Sequence, residues 1–142
     1  MSSIQTLAEA LPRLQPEDPA ARLLIFGFRQ LGANGLDDAA AAHSFMTSFG
    51  KDFRRPLLLL RTLMMELSNT SANPIQVAPW CCPRMTPSEA GILAVLGHAL
   101  DNERASALLL ADLLGVRDAS GPLATVTALA IAFADLGLPL SG

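Results

Sequence analysis

The stretch APWCCPRMTPSE, residues 78–89, separates two long runs of helix-forming sequence and sets the point at which the second run begins. It contains both cysteines, the only tryptophan and three of the ten prolines of the chain. Its last four residues form a capping box, with Thr86 as the N-cap, Pro87 in the first helical position and Glu89 in the third. A helix is therefore predicted to begin at Pro87.

The composition on both sides of this stretch favours helices. Hydrophobic residues make up 51% of the 142 residues, with Ala and Leu the main contributors, and Tyr is absent. Ala and Leu are good helix formers, whereas strands prefer β-branched and aromatic residues, so we predict an all-α fold. The expected architecture is a compact, irregular bundle of six or seven helices with short loops and one longer loop that contains the cysteines and prolines. Residues 1–142 are expected to form a single helical domain, with residues 1–18 as a candidate for a loosely packed N-terminal segment.

Capping residues, glycines and prolines indicate where these helices begin and end. Asp18 followed by Pro19 marks one helix start, and Gly50 and Gly115 mark two helix ends. The predicted helices are Ile4–Leu11, Pro19–Leu31, Asp37 or Asp38 to Phe49, Phe53 or Pro56 to Ser68, Pro87 to about Leu100, Asp101 or Asn102 to Leu114, and Gly121 or Pro122 to Leu136. Residues 75–78 form too short a run, too close to a proline, to predict a strand.

Two of these helices, the second and the fourth, are apolar around most of their circumference and are expected to be buried. In the second helix, Arg22 and Arg29 are seven residues apart and share the one polar stripe. The fourth helix is expected at the centre of the bundle, and the leucine and methionine runs are assigned to the core. Arg61 and Glu66 interrupt the fourth helix, and buried charges of this kind need partners.

Charge and hydropathy exclude some classes of partner. The net charge is −3 and the chain has a single lysine, Lys51, which argues against nucleic-acid binding through a basic surface. No uncharged apolar run approaches the roughly 18–20 residues that a bilayer crossing needs, and residues 1–9 lack the pattern of a signal peptide, so we expect a cytoplasmic protein that does not bind membranes. Charged residues make up only 16% of the chain, which favours exposed apolar surface and hence a homo-oligomer or a protein partner.

Two segments of the chain, residues 53–57 (FRRPL) and 79–86 (PWCCPRMT), resemble a small bacterial all-helical family of unknown function. That family pairs an arginine-arginine-proline helix start with a CCPRMT loop in chains of similar length, and residues 133–137 (FADLG) also fit it. The resemblance covers most of the chain and implies an all-helical protein. It carries no known activity, so it implies no catalytic residues.

Cys81 and Cys82 are the reactive groups of the opening stretch. Neighbouring residues of an extended segment point to opposite sides, and no C-x-x-C spacing is present, which weakens a zinc-site interpretation. His43 and His98 could complete a set of four N/S ligands with the two thiolates. Three interpretations stay open for the cysteines: structural thiols, a redox or thiol-reactive pair, and a metal site.

Three arginines and the tryptophan are the candidate ligand-binding residues. Arg54 and Arg55 lie at the start of the fourth helix, and Arg84 lies just before the capping box. Arginines beside a helix N-terminus can bind a carboxylate or phosphate group; otherwise we expect them to pair with acidic residues or to face water. Trp80 is expected to anchor its loop against the bundle, with contact to a partner as the alternative.

The sequence contains no nucleophile elbow, catalytic-triad order, paired-carboxylate motif or phosphate loop, so no catalytic residue and no cofactor are predicted. We expect a small cytoplasmic helical binding or regulatory module without catalysis. One alternative is a thiol-based redox or metal-binding protein that uses Cys81 and Cys82. Another is an enzyme that binds an anionic ligand near Arg84. The sequence leaves open whether the chain is an enzyme.

Overall fold

Six α-helices account for most of the computed structural model, which describes residues 13–141. They are α1 (Pro19–Asn34), α2 (Ala39–Phe49), α3 (Arg54–Thr70), α4 (Pro87–His98), α5 (Glu103–Leu114) and α6 (Ser120–Asp135), and a 3₁₀ turn, Gly50–Asp52, joins α2 to α3. The predicted all-α bundle with short loops is confirmed. The predicted helix Ile4–Leu11 lies outside the described residues. Within residues 13–141, no helix combines the length and the apolar character that a membrane crossing requires.

The helix ends follow the capping residues of the sequence. The Asp18 carboxylate accepts a hydrogen bond from the backbone N–H three residues into α1, and Asp38 does the same for α2, both at 2.9 Å. Gly115 ends α5 in the left-handed conformation, with φ at 69°. The predicted end of α1 at Leu31 is three residues too early, because the helix continues to Asn34 and is followed by Gly35, with φ at 102°.

Two very short strands add a feature that the sequence did not predict. β1 (Arg13–Leu14) pairs antiparallel with β2 (Arg84–Met85), with Leu14 opposite Arg84. Strands of two residues are too short to produce a periodic pattern, which explains why they were not predicted. The pairing fixes the segment before α1 against the segment before α4.

The core lies between α3 and α4. Helix α3 packs against α1, α2 and α6, and helix α4 packs against α1, α5 and α6. Leu60, Leu63 and Leu67 of α3 are buried, as predicted for a central helix. Leu58 and Met65 of the same helix are exposed, at 63% and 49%, so the assignment of every leucine and methionine in the run to the core is wrong. These two side chains lie on the solvent-facing side of α3.

Aromatic rings fill the space between α2 and α6. Phe45, Phe49 and Phe133 contact one another edge to face, with ring centroids 5.1–5.9 Å apart. Gly27 allows α1 to approach this cluster closely. A Cβ atom at Gly27 would lie 2.8 Å from Leu60 Cδ2 and 2.9 Å from Phe45 Cε1. The core therefore depends on a glycine at this position for its close packing.

The two charged residues that interrupt α3 have different surroundings. Glu66 accepts a hydrogen bond from the hydroxyl group of Thr125 on α6. The Nε atom of Arg61 is buried, and it has no hydrogen-bond partner among residues 13–141. The expectation that both charges find partners is confirmed for Glu66 and wrong for Nε of Arg61.

Candidate functional site

The loop between α3 and α4 folds around one buried guanidinium group. Arg29 projects from α1, and its side chain is 1% exposed. Its Nε donates to Glu89 Oε2 at 2.8 Å and its Nη2 donates to Glu89 Oε1 at 3.0 Å. Glu89 is fully buried in the first turn of α4. The two side chains form a bidentate ion pair, the strongest common geometry between arginine and a carboxylate.

The same guanidinium binds three backbone carbonyl groups of the loop. Nη1 of Arg29 donates to the carbonyl oxygens of Pro79 at 3.2 Å and Cys82 at 2.7 Å. Nη2 donates to the carbonyl oxygen of Arg84 at 2.8 Å. With the two bonds to Glu89, five hydrogen bonds match the five N–H donors of a guanidinium. One side chain of α1 therefore fixes most of the backbone between residues 79 and 84.

Glu89 organises the other side of the loop. Its Oε2 accepts from the backbone N–H of Ala78 at 3.0 Å, and its Oε1 accepts from that of Thr86 at 2.9 Å. The Thr86 hydroxyl in turn accepts from the N–H of Glu89 at 3.1 Å, which confirms the predicted capping box. A single carboxylate thus caps α4, pairs with Arg29 and holds the chain at Ala78.

These contacts produce a tight turn at the surface. The N–H of Cys82 donates to the carbonyl of Pro79 at 2.9 Å, which places Trp80 and Cys81 at the two central positions of a β-turn. Trp80 is 66% exposed and Cys81 is exposed, whereas Cys82 is buried beside Ala78. The expectation that Trp80 anchors the loop against the bundle is wrong, because Arg29 holds the loop from beneath and the indole faces solvent.

Gln15, which precedes α1, also holds the loop. Its backbone N–H donates to the carbonyl of Pro83 and its side-chain amide donates to the carbonyl of Cys82, both at 2.8 Å. The Cys82 carbonyl therefore accepts from both Arg29 and Gln15. The turn is fixed by long-range contacts with Arg29 and Gln15, and its two exposed side chains are presented on a defined backbone.

The arginines predicted to bind a ligand are not brought together at this loop. Arg54 and Arg55 line a surface cavity of about 330 Å³, together with Lys51, Asp52 and Leu136. Arg55 also lies 3.4 Å from Asp135 in an exposed ion pair. Arg84 is not among the residues that line this cavity; it lies on β2, where its carbonyl accepts from Arg29.

The candidate metal or redox residues are also dispersed. Both cysteines are free thiols. His43 is exposed on α2, and Nδ1 of His98 lies 3.6 Å from the carboxylate of Asp101. In the part of the chain that the structure describes, no group of three His, Cys, Asp or Glu side chains could hold a metal ion. The described residues form no cluster of this kind, so a metal site that combines Cys81 and Cys82 with the two histidines stays a prediction.

The role of Arg29 was not predicted from the sequence. Helical periodicity predicts that Arg22 and Arg29 share a polar stripe of α1, but Arg29 is buried against the loop and only Arg22 is exposed. The available signal was an arginine well inside a mostly apolar helix. A charge in that position requires a partner, and the acidic residue of the capping box was the obvious candidate.

Comparison with known proteins assigns a family and no activity. No curated protein and no solved structure matches the chain. One family model matches residues 6–132, which is most of the chain, and it is described as a family of unknown function, DUF6628. The expectation of an uncharacterised family is confirmed, and the chain belongs to the family of unknown function DUF6628.

Proposed function

We propose that this chain is a small helical binding module without catalysis, and that the turn formed by residues 79–82 is its recognition element. The observation that carries the proposal is the exposure of Trp80 at the centre of a turn whose backbone is held by Arg29. Tryptophan is among the residues that contribute most to protein interfaces. A buried tryptophan would serve stability, whereas this one is presented to solvent.

The cost of holding this turn supports a role in recognition. Removing two charges from water is expensive, and apolar residues of similar volume often stabilise a protein as well as a buried ion pair does. The pair formed by Arg29 and Glu89 adds what apolar residues cannot, because it satisfies the carbonyl and N–H groups of an irregular loop. A loop ordered in advance loses less conformational entropy when a partner binds.

Replacing Trp80 with alanine should abolish partner capture and leave the fold intact. We expect the affinity for a partner isolated with the wild-type chain to fall by roughly thirtyfold or more, since hot-spot residues contribute about 2 kcal/mol or more. Affinity capture from native extract identifies the partner, and calorimetric titration of the purified partner gives the affinity. Trp80 is the only tryptophan, so its fluorescence should also change on binding.

Leu100→Ala is the matched control, because Leu100 is also a large exposed apolar residue, at 53%. It should bind the partner as the wild type does, and circular dichroism should show the same helix content in both variants. Wild-type affinity in Trp80→Ala would contradict the proposal. An equal loss in Leu100→Ala would point to general apolar adhesion instead of recognition by the turn.

A thiol-based function is the second candidate, and the exposure of Cys81 beside a buried Cys82 favours it. Thiol chemistry needs an accessible sulfur, so Cys81 should be alkylated in the native protein while Cys82 is protected until the protein unfolds. Timed alkylation followed by peptide mass spectrometry measures both rates. The Cys81→Ser variant should take up no label when native and one label in denaturant.

The rate of the Cys81 reaction separates the two candidate functions. A rate well above that of an unstructured peptide thiol would favour a redox or thiol-reactive role, and an ordinary rate would favour binding alone. Equal labelling of both cysteines in the native protein would contradict the burial on which this distinction rests.

An enzyme that holds an anionic ligand near Arg84 has less support. That alternative needs the free N-terminus of α4 as an anion site. The Glu89 carboxylate and the Thr86 hydroxyl already accept hydrogen bonds there. The internal carboxylate of Glu89 therefore occupies the position that an anionic ligand would need.

A further inference from the structure

We propose that the groove between α2 and α3 is a binding site for a small carboxylic acid with an apolar chain, and that Arg61 binds its carboxylate. The groove is open to solvent and has a volume of about 370 Å³. This volume is in the range of small-molecule sites. Its lining residues are Ala42, Phe53, Arg54, Leu57, Leu58 and Arg61. The site is separate from the turn formed by residues 79–82 (the Trp80 turn) and does not depend on the function proposed for that turn.

The unsatisfied Nε of Arg61 points to a ligand. This atom is buried and has no hydrogen-bond partner in the described part of the chain, where it is the sole buried side-chain nitrogen or oxygen in that state. A buried charged donor without an acceptor destabilises a fold, so such groups need a specific explanation. Arg61 lines the groove, so a shift of its side chain toward a ligand there would give Nε an acceptor and remove this cost.

The chain itself shows which acceptor fits. Arg29 uses its Nε and one Nη to bind both oxygens of a carboxylate, at 2.8 Å and 3.0 Å. The planar edge of a guanidinium matches the spacing of the two oxygens of a carboxylate. Arg61 has the same edge, and its Nε lacks the acceptor that Glu89 supplies to Arg29.

Charge along the groove favours an acid over a neutral ligand. Arg54 lies at the start of α3 and Arg61 lies seven residues later, and neither forms an ion pair within residues 13–141. None of the six lining residues is acidic. Phe53 and Arg54, at the N-terminus of α3, both line the groove, and this end of a helix carries the positive end of its dipole.

The remaining walls determine the rest of the ligand. Phe53, Leu57 and Leu58 present apolar surface between the two arginines, and Leu58 is 63% exposed at the rim. An apolar chain placed here would cover this surface and gain free energy from its removal from water. The ligand class is therefore a carboxylate that carries an aliphatic or aromatic tail.

Calorimetric titration of the full chain with decanoate tests the proposal, with decanol and propionate as matched probes. Decanol keeps the apolar chain without the carboxylate, and propionate keeps the carboxylate with a minimal chain. We expect saturable binding of decanoate, with affinity at least about tenfold above either comparison probe, as a charge-assisted hydrogen bond and a buried chain would each provide. No saturable binding of decanoate, or equal binding of decanol, would overturn the proposal.

Two variants and one control locate the site. Arg61→Met removes the guanidinium and its unsatisfied nitrogen, so it should fold as well as the wild type and bind decanoate at least about tenfold more weakly. Leu58→Glu, at an exposed position, places a negative charge at the rim and should weaken decanoate binding without unfolding the protein. Arg104→Met removes an exposed arginine from α5 and should leave binding unchanged. Wild-type affinity in both groove variants would show that decanoate binds elsewhere and would refute the assignment.

Discussion

Replacing Glu89 with alanine should lower the free energy of unfolding by about 3–5 kcal/mol, the usual cost of leaving one member of a buried ion pair without its partner. The substitution also removes the acceptor that caps α4 at Thr86 and the acceptor for Ala78. A domain of this kind is stable by about 5–15 kcal/mol in total, so the loss is a large fraction of its stability. Urea denaturation followed by circular dichroism measures it.

Graded variants separate the contribution of the ion pair from that of the loop. Glu89→Gln keeps one acceptor oxygen for the helix cap but removes the charge, so we expect a smaller loss than in Glu89→Ala. The double variant Arg29→Met/Glu89→Leu replaces the pair with apolar side chains, a change that is often neutral at a simple buried ion pair. Here it should stay clearly destabilised, because the carbonyl groups of Pro79 and Cys82 lose their buried donors.

Cys82 provides a local readout for the same variants. Because Arg29 and Glu89 hold the loop, Glu89→Gln should expose Cys82 to alkylation under conditions in which most molecules remain folded. Glu17→Ala is the matched control, since Glu17 is exposed and its loss should change stability by less than about 0.5 kcal/mol. Protection of Cys82 in Glu89→Gln equal to that in the wild type would show that the ion pair does not order the loop.

Local signals in the sequence were sufficient to predict most of the helices. A cap such as Asp18 or Thr86 acts on backbone groups two or three residues away, so its effect can be identified without knowledge of the tertiary structure. The capping box at Thr86 and Glu89 was predicted in full and is present in full. The end of α1 was predicted at Leu31, three residues too early, because Gly32 disfavours a helix without forbidding it.

The site could be predicted only in part, because its key contacts join residues that are far apart in the chain. Arg29 and Glu89 are 60 residues apart, and Arg29 and Cys82 are 53 apart. Helical periodicity showed that Arg22 and Arg29 lie on the same side of α1, but it gives the direction of a side chain and not what covers it. The loop covers α1 at Arg29, while Arg22 faces solvent.

The sequence also could not show which individual apolar side chains are exposed. The leucines of α3 are alike in sequence, and Leu58 is exposed while Leu57 and Leu60 are buried. The low content of charged residues correctly indicated that apolar surface would remain exposed, but it could not say where. The structure places part of it at the Trp80 turn and part along α3 beside Arg61. These are the two places where we propose binding.

Truncating Phe133 to alanine should also lower the free energy of unfolding by about 3–5 kcal/mol, the typical cost of removing a buried aromatic ring. Phe133 is fully buried, and its ring contacts those of Phe45 and Phe49 at centroid distances of 5.9 Å and 5.1 Å. The loss combines transfer of the ring to water, an unfilled cavity and two lost edge-to-face contacts. Phe133→Leu fills part of the cavity and should cost less.

Ile131→Ala is the matched control on the same helix, because Ile131 is partly exposed, at 37%, and its truncation should cost much less. The effect of Phe133→Ala should differ in kind from that of Glu89→Gln. Loss of a core ring weakens the whole bundle, so alkylation of Cys82 should increase only as far as the global stability falls. If Cys82 instead became reactive in Phe133→Ala while the helices kept their stability, the loop and the core would be coupled more closely than their separate contacts imply. The order of the Trp80 turn would then depend on the packing of α6 as well as on Arg29.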